Sequence, residues 1–130
     1  MFKRTQALYA ALAKTLGVSA LPADDNGGVQ LSVGNDSSVI LFAEDEFTLM
    51  LVSPVMPLPK NLDYGAILWL LRRNFYDSPI APFRVSCDIA GSITVWGRVP
   101  IEGMTGEALA GLIHSLAAES NFIRQELKVD

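Results

Sequence analysis

The sequence predicts an α+β fold: an antiparallel sheet with three helices in the order α-βββ-α-ββ-α, assembled as a homodimer. Three observations lead there. Residues 3–16 and 105–127 carry apolar side chains at the helical period, while shorter stretches carry them at the two-residue period or in the unbroken runs of strands. Glycine, asparagine and aspartate cluster between those short stretches at hairpin-sized intervals, which favours antiparallel neighbours. Finally, residues 61–75, NLDYGAILWLLRRNF, read as a helix that is apolar nearly all round.

Each element has its own signal. In 3–16, Leu8, Leu12 and Leu16 are four apart with Thr5 and Tyr9 beside them, and Gly17 follows as a C-terminal cap. The ADDNGG stretch ending at Gly28 is a loop by composition. Val29, Leu31 and Val33 then alternate with Gln30 and Ser32, the pattern of a half-buried strand. Gly34, Asn35 and Asp36 turn the chain into strands at 39–42 and 47–52. Both of these strands are apolar at successive positions, so both faces of that part of the sheet ask for cover. Helices of the same chain or a bound polypeptide would each supply it.

Residues 53–60, SPVMPLPK, contain three prolines and read as an extended connector into the helix at 61–75. Asn61 is a candidate cap, Asp63 suits the positive end of the helix dipole, and Arg72 and Arg73 suit the negative end. Ala66 to Leu71 are apolar without a break, and six consecutive helical positions cover every direction around the axis. A surface helix of a small domain normally buries one stripe. This helix needs cover on two sides, and a second copy of the chain is the expected source of the other side. Prolines 79 and 82, the second preceded by Ala81, break the chain again. Phe83, Val85 and Cys87 alternate with Arg84, Ser86 and Asp88 as a fourth strand, with Cys87 expected to point inward as a small core residue. Across 93–99, Ile93, Val95 and Val99 share one face, with Thr94, Trp96 and Arg98 on the other. Trp96 is therefore either a partner-binding anchor or a ring covered by a neighbouring helix. Thr105 is positioned to cap a last helix whose stripe is Leu109, Leu112, Ile113, Leu116, Ile123 and Leu127.

Composition narrows the function classes. A chain of 130 residues suits one domain spanning 1–130 with a real core. Half of its residues are hydrophobic and 18% are charged, which argues against disorder. The mean hydropathy of +0.30 implies either a dense core or apolar surface kept for partners. No apolar run reaches a bilayer span, and the MFKR start followed by a seven-residue apolar run suits an amphipathic helix better than a signal peptide. A net charge of −4 speaks against nucleic acid. The single cysteine fits a reducing compartment.

Catalytic parts are few. His114, the one histidine, lies in the last helix with no GxSxG serine to serve, and geometry rather than presence makes a base. One histidine and one cysteine without ligand spacing make no usual zinc site. The acidic clusters Asp24-Asp25 and Glu44-Asp45-Glu46 lack the spacing of a calcium loop, and the glycines form no phosphate loop. The expectation is a non-enzyme without cofactor or metal.

The order of elements resembles the class I type III secretion chaperones, the Tir-chaperone family. The resemblance is carried by LMLVSPVMPLP, by LLRRNF with Asn74 after a leucine-rich helix, and by SITVWGRVPIEGMTGEALAGLIHSLAAESNFIRQEL. It implies a homodimer in the cytoplasm of a Gram-negative bacterium that binds the N-terminal segment of a secreted effector and keeps it extended, without ATP or catalysis. The export ATPase is a candidate further partner; nucleic acid and membrane are not. The family's dimer maps onto Ile67, Trp69, Leu70 and Leu71 with the following strand, Phe83 and Val85 included. An extended effector segment would add main-chain hydrogen bonds at a sheet edge and seat side chains in apolar pockets. The pocket candidates are Leu8 and Leu12 on the first helix, Ile40, Phe42, Met50 and Val52 on the sheet, and Trp96. A regulatory binding module of the same fold and a small-molecule binder are the alternatives.

Overall fold

The computed structural model of the chain describes residues 1–80 and 82–128. The elements run α1 (Lys3–Leu16), β1 (Val29–Val33), β2 (Ser37–Ala43), β3 (Thr48–Pro57), α2 (Tyr64–Arg72), β4 (Arg84–Cys87), β5 (Ser92–Pro100) and α3 (Gly106–Leu127). The predicted order is thus the observed one. The strands form one antiparallel sheet in the order β1-β2-β3-β5-β4, so β1 and β4 are its edges.

The alternation of each strand assigns its faces. Val39 and Leu41 of β2, Leu49 and Leu51 of β3, and Val95 and Ile93 of β5 point to one side and are buried. There they meet Leu8 and Leu12 of α1 and Leu109, Leu116 and Ile123 of α3 in one apolar cluster. Burying each such side chain contributes about 1.5–3 kcal/mol, so this layer carries most of the stability. The two helices approach closely because α3 starts at Gly106, where a Cβ would collide with the Ala11 carbonyl of α1. Gly97 does the same for the sheet: a Cβ there would lie 2.8 Å from Cδ1 of Phe83. Tyr9 ties α1 to the loop before β1 by donating to the Gly27 carbonyl at 2.9 Å.

Capping follows the sequence at both outer helices. Gly17 ends α1 with φ 75°, and the Thr105 side chain accepts from the Ala108 N–H at 3.0 Å.

Three expectations are corrected. The proline-bearing stretch after Val52 is not a connector but the second half of β3, paired with β5 as far as Pro57↔Ser92 through a bulge between Pro54 and Met56. The ladder with β2 stops at Ile40↔Val52. Continued, it would ask residue 54 for an N–H that proline lacks. Ser53 supplies the substitute, its hydroxyl donating to the Ser38 carbonyl at 2.7 Å. On the same side, Ser120 and Arg124 of α3 donate to the carbonyls of Pro54 and Val55 at 3.2 and 3.0 Å. Second, α2 is shorter than 61–75, and its cap is Asp63, which accepts from the Ala66 N–H at 2.7 Å. Asn61 stays outside because Leu62 is drawn against the core before the helix begins. Third, Cys87 is exposed, since β4 is an edge strand at its last residue. The break expected at Ala81 lies outside the described residues.

Candidate functional site

Among the described residues, two apolar surfaces gather the predicted site residues that lie outside the core. The first is the sheet face opposite α1 and α3. Cross-strand pairing sets Gln30, Ile40, Val52, Trp96 and Arg84 in one row across all five strands, and Phe42, Met50 and Arg98 in the next. Ile40, Val52 and Trp96 are half-buried and Phe42 is 38% exposed. Met50, only 9% exposed, is held among these neighbours and is not part of the core cluster. The unbroken apolar runs in β2 and β3 are thereby explained: alternate residues serve the core, and the rest build this face.

One end of the face is charged and ordered. Arg98 places its guanidinium 5.2 Å from the Trp96 ring centre and donates to the Glu44 carboxylate in a bidentate pair at 2.9 Å. That hydrogen bond, reinforced by the charge of Arg98, holds the Glu44 carboxyl below its ordinary value and raises Arg98. The Trp96 indole N–H donates to Ser86 Oγ at 2.8 Å, fixing the ring across β5 and β4.

The second surface is α2 and the groove beneath it. Among the described residues of α2 none is fully buried. Ala66, Trp69 and Leu70 pack against the core, while Ile67 is 46% and Leu71 61% exposed. Between α2 and β4 lies an apolar groove of about 410 Å³, lined by Leu58, Leu62, Ile67, Leu70, Leu71 and Val85 among others. The far end of α2 is anchored by polar contacts. Arg73 grips Glu119 of α3 through two hydrogen bonds of 2.5 and 2.8 Å. Its guanidinium stands 4.9 Å from the Trp69 ring and 5.1 Å from the Phe122 ring. The side chain of Asn74 is bonded to the main chain of Val85.

The predicted site residues divide accordingly. Ile40, Phe42, Met50, Val52 and Trp96 come together on the sheet face. Ile67, Trp69, Leu70, Leu71 and Val85 come together around α2. Leu12, fully enclosed, and Leu8, 4% exposed, lie in the core, because the stripe of α1 is spent on α3 and the sheet. Leu12 therefore offers no surface to a second chain, while Leu8 reaches the floor of a separate hollow with Ala7, Ala11, Ile101 and Met104. Phe83 is likewise a core residue, its ring seated against Gly97. Glu44 and Glu119 were not foreseen as site residues, and Asn74 was marked only as part of the family pattern. Arg73 and Glu119 sit 46 positions apart on different helices, and no local pattern joins them.

Other chemistry has little support in the geometry. His114 is exposed on α3. Asp24 and Asp45 are turn residues, accepting from the N–H groups of Gly28 and Phe47 at 2.8 Å each. Among the described residues no three His, Cys, Asp or Glu side chains are grouped to hold a metal ion, and no helix is long and apolar enough to cross a membrane.

Comparison with known proteins agrees with this architecture. The model of the Tir chaperone protein (CesT) family matches residues 8–124. A search of curated proteins by sequence found no match. Among solved structures, a chain of the heterodimeric ExoU–SpcU complex from the type III secretion system of Pseudomonas aeruginosa superposes with a TM-score of 0.79 at 22% identity, covering 93% of this chain and 98% of the other. The Yersinia pestis type III secretion chaperone SycH in complex with a fragment of YscM2 gives 0.75 at 19% identity, covering 89% and 96%. The HopA1–SchA chaperone–effector complex gives 0.77 at 16% identity, covering 94% of each. With a family match over most of its length and this fold, the chain belongs to the Tir chaperone protein family, a family of type III secretion chaperones.

Proposed function

We propose that two copies of this chain, joined through α2, bind the N-terminal segment of a secreted effector in the bacterial cytoplasm and hold it extended until export. The observation that carries the reading is the sheet face of Ile40, Phe42, Met50, Val52 and Trp96. It is apolar, crosses the three central strands and, among the described residues, has no helix upon it. A disordered segment suits such a face. It wraps a large area, loses little by leaving solvent, and is released without unfolding a globular partner. No reaction is needed for this task, and none is proposed.

The α2 surface fits a second copy for a separate reason. Ile67 and Leu71 are exposed beside an apolar groove, and a symmetric contact uses the same patch from both sides. Covering a few such aliphatic side chains contributes about 1.5–3 kcal/mol each, enough to hold two protomers at micromolar concentration.

Co-expression with the N-terminal segment of the secreted protein encoded beside this chain tests the reading. The segment should co-purify with wild type, resist proteolysis only where bound, and be lost with Val52→Asp or Phe42→Asp. Both variants should keep the fold, because these side chains lie outside the core cluster. Retention of the segment by both folded variants would remove the sheet face from the account.

A further inference from the structure

Edge strands present a row of N–H and C=O groups to any extended polypeptide. In an antiparallel sheet, successive residues turn these groups first to one neighbour and then to the other. On β4 the outward positions are Phe83, Val85 and Cys87, because Val85 directs both of its groups away from β5. Both are already taken. The Val85 N–H donates to Oδ1 of Asn74 at 2.5 Å, and Nδ2 of Asn74 donates to the Val85 carbonyl at 2.7 Å. A carboxamide carries the same donor and acceptor as a peptide unit. Asn74 thus stands where one residue of a sixth strand would stand. Two positions upstream, the Phe83 N–H donates to the Ile80 carbonyl at 2.9 Å. The Phe83 carbonyl accepts from the Arg84 guanidinium at 3.2 Å, so among the described residues of β4 only Cys87 is left with its outward groups free.

We infer that Asn74 closes the β4 edge to strand addition. An extended polypeptide, whether cargo or a second copy, cannot prolong the sheet on that side, and the groove between α2 and β4 accepts side chains only. Strand addition takes its affinity from a run of main-chain hydrogen bonds, and a single open position is no run. The residue type matters. Aspartate would keep the bond to the Val85 N–H but lose the donor to its carbonyl, and glutamine is one methylene too long for this spacing. Asn74 is itself fixed at the end of α2, its N–H donating to the Leu71 carbonyl at 3.0 Å with the Arg73 clamp beside it. The inference does not depend on how two copies join through α2, since every comparison below is with the wild-type mass.

The full chain, with reductant present, is compared as wild type, Asn74→Ala, Cys87→Pro and the double variant. Amide exchange at Val85 should accelerate about tenfold in Asn74→Ala, the loss of the one hydrogen bond from its N–H to the Asn74 side chain. Light scattering across a concentration series should show Asn74→Ala forming species larger than wild type. Cys87→Pro alone should match wild type, since proline is tolerated where an edge N–H faces solvent. Asn74→Ala/Cys87→Pro should return to the wild-type mass, because Val85 is then left as a single open position with no second outward N–H beside it. A merely loosened α2 would not be repaired by a proline on β4. The inference is overturned if Asn74→Ala keeps the wild-type mass, or if the double variant associates as strongly as Asn74→Ala. Should Asn74→Ala fail to fold, Asn74→Val, which makes neither bond to Val85, takes its place with the same expectation of larger species, and a wild-type mass there overturns the inference equally.

Discussion

Removing Glu119 is the sharpest test of how α2 is held. The Arg73 and Glu119 side chains are 14% and 11% exposed and share two charge-assisted hydrogen bonds. Stripping one partner from a fully buried pair costs about 3–5 kcal/mol, because the other charge is left without compensation. Here some solvent reaches both groups and Trp69 and Phe122 still face the guanidinium, so the expected cost of Glu119→Ala is about 2–3 kcal/mol. That corresponds to a factor of roughly 30–150 in the ratio of docked to undocked α2. The loss should be local, since α2 buries little of its own surface while α1, α3 and the sheet share the core. Hydrogen exchange should therefore accelerate across α2 and stay unchanged in α3 and β3. In a Trp96→Phe background, the emission of Trp69 should shift to the red. Arg73→Met/Glu119→Ala should recover most of the protection, because methionine fills the space between the two rings without a stranded charge. Wild-type protection of α2 in Glu119→Ala, or a double variant as damaged as the single one, would refute the reasoning.

Other expectations can be checked on the same protein. Gly106→Ala should destabilise by about 1–3 kcal/mol in chemical denaturation, because the added methyl must push α3 away from the Ala11 carbonyl. Tyr9→Phe should cost about 1–2 kcal/mol near neutral pH by leaving the buried Gly27 carbonyl without its donor. Burial, with the nearby Asp24 carboxylate adding to it, pushes the Tyr9 phenol up to about 12. The folded state therefore favours the neutral phenol. Its contribution is full below the unfolded value of about 10 and is lost as pH rises from there through 12. A denaturation series in that window should show wild type losing stability that Tyr9→Phe, already lacking it, does not lose.

Much of this architecture was legible in the residues. The spacing of Leu109, Leu116 and Ile123 placed α3 on the core, and Thr105 and Gly17 marked helix ends where caps are found. The double-sided apolar runs of β2 and β3 correctly implied two apolar faces. Other features were hidden because their causes are not local. Prolines 54 and 57 read as a connector, since a sequence does not reveal that Ser53, Ser120 and Arg124 will satisfy the carbonyls around them. The unbroken apolar run of α2 says little about how deeply the helix is buried. Its apolar residues are divided between modest packing and exposure, while α3 does the covering. Leu12, named as a pocket candidate, is enclosed in the core, and the periodicity of α1 does not by itself show which of its leucines reach the surface. Asn74 stood out as a residue of the family pattern, but its bond to Val85 needed the position of β4.

Sedimentation equilibrium of the full chain across a dilution series, with Leu71→Asp alongside, addresses the central claim most directly. The account predicts the mass of two copies for wild type at micromolar concentration. For Leu71→Asp it predicts one copy with unchanged circular dichroism, because that side chain is exposed in the protomer. A wild-type chain that stays at the mass of one copy throughout, with Ile67 and Leu71 left in water, would contradict it.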